Sequence, residues 1–204
     1  KIVNKKVLLE RFGLKFDDNI PVIGTISRLY ESKGTDLLID SFDELMKLNL
    51  QFILLGTGER KYQIAFEKFS KKYSDKFVCY LGFNDELSHQ IEAGVDMFLI
   101  PSKYEPCGLN QMYSLFYGTV PIVRETGGLS DIVVRFNEKT EEGNGFMFKD
   151  YKPEALISEV KRALKFYQDK KIWNKIIRNG MRGDFSWINS AKKYIDLYKE
   201  MLSD

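Results

Sequence analysis

The sequence has few of the residues that usually hold metal ions or cross-link a chain. Its 204 residues include two cysteines and one histidine, His89. Cys79 and Cys107 lie far apart, and neither belongs to a C-x-x-C pair, so we predict no disulfide framework and a reducing, intracellular setting. The sequence also lacks a D-x-D pair and any His, Cys or carboxylate cluster, so we predict no metal site.

Long apolar runs and an excess of one charge are also missing. No run approaches the roughly 18 residues of a membrane span, and the start at Lys1 does not read as a signal peptide. The 31 basic and 29 acidic residues give a net charge of +2, so neither nucleic acid nor a membrane is indicated as a partner. We expect a cytoplasmic protein. Because the first residue is not Met, we expect a fragment or a processed product.

What the sequence does contain is an alternation of short apolar runs with amphipathic stretches. The apolar runs, predicted as buried strands, are residues 21–27, 51–55, 77–81, 96–100, 119–123 and 145–148. The predicted helices are residues 4–12, 35–48, 60–73, 85–93, 109–117, 153–167, 171–182 and 186–202. Strands that alternate with helices predict an α/β fold, a doubly wound Rossmann-like parallel sheet of about six strands with helices on both faces. The length fits one domain, residues 1–204.

The predicted last helix, residues 186–202, carries an apolar stripe that includes Ile188, Tyr194 and Tyr198. The interpretation we favour is that this stripe packs on the sheet. The alternative is that the helix crosses to another domain that this chain lacks.

The most informative stretch is residues 101–128, where a carboxylate-bearing turn separates two apolar runs. It contains E-P-C-G-L-N-Q, beginning at Glu105, and T-G-G, beginning at Thr126. Gly108 predicts a tight turn and Leu109 the start of a helix, whose first amides have no partners within the helix. Such amides at the carboxyl edge of a parallel sheet favour a bound phosphate.

A second stretch, G-T-I-S-R-L-Y-E-S-K-G from Gly24 to Gly34, follows the first predicted strand. We expect that strand to end near Ser27, which puts Arg28 and Lys33 on the next loop. Two cations five positions apart can converge on one diphosphate, although this spacing alone is also common on solvated surfaces.

Together these motifs resemble those of bacterial glycogen synthases and plant starch synthases, in the same order and at similar spacings. The resemblance implies the carboxyl-terminal, nucleotide-sugar-binding half of a two-domain retaining glycosyltransferase. The implied reaction transfers glucose from ADP-glucose or UDP-glucose to the non-reducing end of an α-1,4-glucan, without a metal or other cofactor. The implied partners are the nucleotide sugar, the glucan acceptor and the protein's own missing amino-terminal domain. We therefore expect the fragment alone to be inactive. The resemblance also implies a plastid location if the source is a plant.

The resemblance also implies roles for particular residues. Arg28 and Lys33 would hold the donor diphosphate and Glu105 the transferred sugar, which makes these three the predicted catalytic residues. The other predicted donor contacts are Gly24, Gly58, Phe83, Cys107, Gly108, Leu109, Asn110, Tyr113, Thr126, Gly127 and Gly128. Phe83 would pack on the base, and Tyr113 stands where sucrose synthases carry a second Glu. For Cys107 we favour a small buried thiol that shapes the pocket, and for His89 a structural role.

Three other functions stay open at this point. A pyridine-dinucleotide dehydrogenase shares the fold class, but G-x-G-x-x-G is missing after the first strand. Another retaining nucleotide-sugar glycosyltransferase, or a non-catalytic glucan-associated scaffold, would keep the same fold. The sequence does not decide between ADP- and UDP-glucose or between glycogen and starch, and it does not give the oligomeric state.

Overall fold

A computed structural model of the protein describes residues 1–202. Its centre is a six-stranded parallel sheet of strand order β3-β2-β1-β4-β5-β6. The strands are β1 Val22–Leu29, β2 Gln51–Gly58, β3 Phe77–Leu81, β4 Met97–Ile100, β5 Val120–Arg124 and β6 Phe146–Phe148. The predicted fold class and strand number are therefore confirmed.

The helices lie before, between and after the strands, close to their predicted positions. They are α1 Ile2–Arg11, α2 Thr35–Lys47, α3 Arg60–Lys72, α4 Asp85–Gly94, α5 Asn110–Phe116, α6 Gly128–Ile132, α7 Pro153–Gln168, α8 Lys170–Met181 and α9 Trp187–Met201. A 3₁₀ turn, Glu31–Lys33, precedes α2. The sequence analysis predicted neither this turn nor α6, because both are shorter than the window in which helical periodicity can be seen.

Both faces of the sheet are covered by helices, as predicted. Successive residues of β4 show the alternation: Met97 and Leu99 belong to the core under α2 and α7, whereas Phe98 belongs to the core under α1 and α4. The first of these cores is rich in aromatic rings, and Phe42 of α2 stacks on Phe69 of α3 at 4.6 Å between ring centroids. None of the helices within residues 1–202 is both long and apolar enough to cross a membrane.

The strand order creates a switch point between β1 and β4. The chain runs from β1 outward through β2 to β3, and then returns to β4 on the other side of β1. The connections that leave the carboxyl ends of β1 and β4 therefore diverge and leave a crevice, which is the usual ligand position in open α/β sheets.

Two expectations about the elements are wrong. β1 and β2 continue two to three residues beyond their predicted ends, so Arg28 lies within β1 and Gly58 within β2 rather than on the following loops. The last helix, α9, has no buried residue, so its apolar stripe does not pack on the sheet.

Candidate functional site

A cavity of about 330 Å³ opens at the switch point between β1 and β4. Its walls are the carboxyl ends of both strands, the 3₁₀ turn and the turn that leads into α5. The residues that line it are Thr25, Ile26, Ser27, Arg28, Lys33, Leu99, Ile100, Pro101, Ser102, Glu105, Gly108, Leu109, Asn110 and Gln111. All three predicted catalytic residues, Arg28, Lys33 and Glu105, thus reach one cavity.

Lys33 and Glu105 form a salt bridge in this cavity, which the sequence analysis did not predict. The Lys33 Nζ lies 2.6 Å from the Glu105 Oε2, and Ser102 donates its hydroxyl to the same oxygen at 3.2 Å. Glu105 is buried, with 9% of its surface exposed. A buried carboxylate needs such partners, because an isolated charge in this environment would be costly. Each residue therefore holds the other in place.

Arg28 lies at the mouth of the cavity. It is the next-to-last residue of β1 and is exposed, with its guanidinium carbon 5.9 Å from the centroid of the Tyr30 ring. The strand fixes its backbone while the side chain stays accessible. This position suits a cation that meets a ligand from solvent.

Gly34 sets the position of Lys33. It has a φ of +73°, and a Cβ on it would overlap the carbonyl oxygen of Pro101, directly after β4. Only glycine combines this left-handed backbone with such a close approach. The sequence analysis quoted Gly34 within the motif but gave it no role, since the neighbour it meets is 67 positions away in sequence.

The T-G-G motif supports the loop that carries Glu105. The Gly128 amide donates to the Glu105 carbonyl at 3.0 Å, and Cβ atoms on Gly127 and Gly128 would overlap the carbonyls of Glu105 and Cys107. Gly127 also has a φ of +47°. Thr126, partly exposed, precedes this contact. Gly127 and Gly128 let the two loops approach closely, and none of the three motif residues is among the described residues that line the cavity.

The turn at Gly108 and the start of α5 are fixed by two amide side chains. The Asn110 amide donates to the carbonyl of Ile26 in β1 at 2.9 Å. The Gln111 amide donates to the carbonyls of Cys107 and Gly108 at 2.8 and 3.0 Å. Gln111 is fully buried, and the sequence analysis gave it no role of its own.

The expectation of a buried thiol at Cys107 is wrong. Cys107 is exposed, and its Sγ faces the carbonyl of Gly108 at 3.5 Å. The reason is the tight turn, which directs the Cys107 carbonyl inward to Gln111 and leaves the side chain outside. Cys79, expected to be buried, is half-buried on β3, and burial raises the pKa of its thiol.

Four other predicted contacts lie away from this cavity. Gly24 is buried against Ile91 and Val95 under α4, and Gly58 packs on the backbone of Leu29. Phe83 follows β3 with 86% of its surface exposed, and Tyr113 lies on α5 with 45% exposed. Their roles in binding a donor stay predictions, and so do those of Cys107 and the T-G-G residues.

With this geometry established, comparison with known proteins is informative. The sequence profile of the family Glycosyl transferases group 1 matches residues 8–180. The chain belongs to this family.

Similar members of the group 1 glycosyltransferases include bacterial glycogen synthases. The glycogen synthase of Anoxybacillus flavithermus is 46% identical over all of this chain, and that of Fervidobacterium nodosum is 48% identical over 98% of it. The chain spans about 42% and 41% of their lengths. The catalytic domain of starch synthase IV from Arabidopsis thaliana, solved with ADP and acarbose, matches all of this chain and 43% of its own, at 34% identity and a TM-score of 0.89.

The cavity in this group 1 glycosyltransferase chain brings together two cations, one carboxylate and the residues at the start of α5. Cations and helix-start amides stabilise an anion, and a carboxylate accepts hydrogen bonds from hydroxyl groups. Within residues 1–202, no group of three or more His, Cys, Asp or Glu side chains could hold a metal ion.

Proposed function

We propose that this chain is the donor-binding part of an α-1,4-glucan synthase. The proposed enzyme transfers glucose from ADP-glucose or UDP-glucose to the non-reducing end of glycogen or starch, with retention at the anomeric carbon. The observation that carries the proposal is the meeting of Arg28, Lys33 and Glu105 in one cavity at the switch point. The glycogen and starch synthases among the relatives support the choice of substrate class.

In the proposed reaction, the bond between the glucose C1 and the diphosphate oxygen breaks, and C1 bonds to an acceptor hydroxyl oxygen on the same face. The acceptor proton passes to the departing phosphate. Arg28 and Lys33 stabilise the negative charge that develops on the leaving group. Phosphate oxygens would compete with Glu105 for Lys33, and a Glu105 freed in this way would accept hydrogen bonds from the sugar.

We propose that these fixed cations, with the first amides of α5, replace a divalent metal at the leaving group. The cavity offers one carboxylate, Glu105, and it is already paired with Lys33, which makes it a poor cation ligand. The proposal predicts that glucosyl transfer by the full-length protein persists in excess EDTA and is not stimulated by Mg²⁺ or Mn²⁺. Loss of transfer in EDTA, restored by Mg²⁺, would contradict it.

The other proposed partners are the α-glucan acceptor and the part of the enzyme that this chain does not contain. The glycogen synthases above are more than twice as long as this chain. We propose that the remaining part provides the acceptor site and the second wall of the cleft, and that the enzyme works in the cytoplasm of a bacterial cell or in a plastid. The 204-residue chain alone should then bind ADP weakly and transfer no glucose.

Two measurements test the proposed function. Calorimetric titration of the chain with ADP and with UDP should detect binding and identify the preferred base. Incorporation of labelled glucose into glycogen by the full-length protein should fall at least a hundredfold in Glu105→Ala. Glu44→Ala, which removes an exposed ion-paired glutamate on α2, is the matched control. An unchanged rate in Glu105→Ala would contradict the proposed role of Glu105, and no incorporation by the parent full-length protein would support a non-catalytic scaffold.

A further inference from the structure

Arg124, the last residue of β5, donates hydrogen bonds to the loop between β4 and α5, which carries Glu105. Its Nε donates to the carbonyl of Ser102 at 2.8 Å, and its Nη2 donates to the carbonyl of Lys103. Arg124 is not among the described residues that line the cavity. Its guanidinium therefore acts on the protein backbone behind the site.

The guanidinium is itself held from two sides. Its carbon lies 5.6 Å from the centroid of the Tyr151 ring, and its Nη1 donates to the carbonyl of Lys149 at 3.4 Å. The Tyr151 hydroxyl in turn donates to Asp36 of α2 at 2.5 Å. Cation–π contact and hydrogen bonding together leave the guanidinium little freedom.

The segment that Arg124 holds reaches both charged partners of the salt bridge. Ser102 donates its hydroxyl to Glu105, and the Lys103 amide donates to the carbonyl of Ser32, the residue before Lys33. Arg124 thus holds the backbone of the loop that carries Glu105. Through the Lys103 amide, it also holds the backbone next to Lys33. No other side chain described in the site contacts the carbonyls of both Ser102 and Lys103.

We propose that Arg124 is a positioning residue for glucosyl transfer, acting through the loop that carries Glu105; this inference rests on the function proposed above. Arginine is required because its planar fork can donate to two neighbouring carbonyls at once. A lysine keeps the charge but concentrates its donors at one point. Displacement of a reacting group by about 1 Å can cost on the order of a hundredfold in rate.

The test compares Arg124→Lys with Arg162→Lys in the full-length protein. Arg162 is a control because it also donates to a backbone carbonyl, that of Phe136, and lies over an aromatic ring, that of Phe146. It also pairs with Glu159 and is not among the described residues that line the cavity. We expect Arg124→Lys to lower kcat about tenfold to a hundredfold and to change the KM for the donor less than about threefold. Arg162→Lys should lower Tm without this loss of kcat. Equal losses of kcat in the two variants would overturn the proposal.

A double-mutant cycle tests whether Arg124 acts through Glu105. In a Glu105→Gln background, Arg124→Lys should lower kcat less than threefold, because the group it positions is already lost. Fully multiplicative losses would contradict positioning. If Arg124→Lys does not fold, Tyr151→Leu should reproduce a weaker loss of kcat, and Tyr151→Phe, which keeps the ring, should not.

A readout without catalysis separates this inference from the proposed function. In the 204-residue chain, hydrogen exchange at residues 102–108 should be at least tenfold faster in Arg124→Lys than in the parent chain, and unchanged in Arg162→Lys. Unchanged exchange in Arg124→Lys would overturn the positioning role even if the enzyme is active. Faster exchange in Arg124→Lys, together with no glucose transfer by the full-length parent protein, would instead contradict the proposed function alone.

Discussion

The salt bridge between Lys33 and Glu105 makes the two residues unequal in their effect on ligand binding. Without a ligand, Lys33 is neutralised by Glu105 at 2.6 Å. Glu105→Gln removes the competing anion, so ADP should bind the 204-residue chain severalfold more tightly, although transfer by the full-length protein falls. Lys33→Met removes the proposed phosphate ligand and leaves the buried Glu105 carboxylate without its cation, so ADP binding should weaken at least about tenfold and Tm should fall. Calorimetric titration with ADP measures the affinity of both variants, and thermal unfolding measures Tm.

The opposite signs are the informative part of this prediction. Lys47→Met breaks the exposed salt bridge between Lys47 and Glu44 and is the control for general effects of losing an ion pair. Equal weakening of ADP binding in Glu105→Gln and Lys33→Met would mean that Glu105 does not compete with phosphate for Lys33.

Glu92 on α4 makes the stability of the domain depend on pH. Only 3% of Glu92 is exposed, its Oε2 lacks a hydrogen-bond partner among the described residues, and His89 Nδ1 lies 3.6 Å from it. Burial raises the pKa of this carboxyl from 4.5 to about 7, against the opposing influence of His89. Between pH 4.5 and about 7, the folded state therefore keeps a proton on Glu92 that the unfolded state has released. The stabilising contribution of this proton is fully present below pH 4.5 and is lost as pH rises through about 7.

Urea unfolding at pH 5 and pH 8 measures this effect. The free energy of unfolding should fall from pH 5 to pH 8 by on the order of 1 kcal/mol more in the parent chain than in Glu92→Gln. Burial lowers the pKa of Lys1 to about 7, which changes stability in the opposite direction, but both chains carry Lys1 and the difference cancels it. An identical pH dependence in the two chains would mean that Glu92 is solvated when folded.

At the scale of residues, the sequence predicted which charged groups reach the site but not what holds them. Arg28, Lys33 and Glu105 could be recognised because each lies in a local motif that follows an apolar run. The salt bridge joins residues 72 positions apart, and the hydrogen bonds from Arg124 to Ser102 and Lys103 span 22 and 21 positions. Pairings of that kind depend on how the strands are ordered in the sheet, which no local pattern contains.

At the scale of elements, we predict from the structure that the glycines of the T-G-G motif act by letting two loops approach each other. Gly127→Ala would have to shift the Glu105 loop, because a Cβ there overlaps the Glu105 carbonyl. We expect lower transfer activity in the full-length protein and a loss of stability of about 1–3 kcal/mol, measured by urea unfolding of the chain. Gly13→Ala is the control, since Gly13 also has positive φ, +68°, but open space around it. Equal losses of activity in both variants would exclude a special role of the contact with Glu105.

A second close approach between backbones, that of Gly58 and Leu29, helps to explain why β1 and β2 are longer than predicted. Arg28 and Leu29 of β1 pair with Thr57 and Gly58 of β2, beyond the ends of the apolar runs. A Cβ on Gly58 would overlap the carbonyl of Leu29, so glycine lets the two backbones stay paired. A run of apolar residues indicates only the part of a strand whose side chains are buried. It does not indicate a polar or glycine-rich continuation of that strand. The element order was therefore predictable, but the strand ends, which carry the site, were not.

At the scale of the whole molecule, α9 is the element that the domain itself does not explain. Its stripe predicted burial, yet the exposed fractions are 89% for Trp187, 70% for Ile188 and 59% for Tyr198. Periodicity shows that a helix has an apolar side but not which surface covers that side. The glycogen synthases that the chain matches are more than twice its length, and we propose the alternative that α9 packs on a part of the enzyme outside this chain.

Tryptophan fluorescence can test that alternative. Trp187 on α9 is exposed, whereas Trp173 on α8 is 4% exposed within the domain. In the 204-residue chain, acrylamide should strongly quench the Trp173→Phe variant, whose remaining tryptophan is Trp187. It should weakly quench the Trp187→Phe variant, whose remaining tryptophan is Trp173. In the full-length protein, after any tryptophans outside this chain have been replaced by Phe, quenching of Trp187 should fall at least threefold and that of Trp173 should not change. A helix that covers its apolar side only in the longer protein would connect the two parts of the enzyme physically. Strong quenching of Trp187 in both proteins would show that α9 remains solvated and would remove this support for a packed second domain.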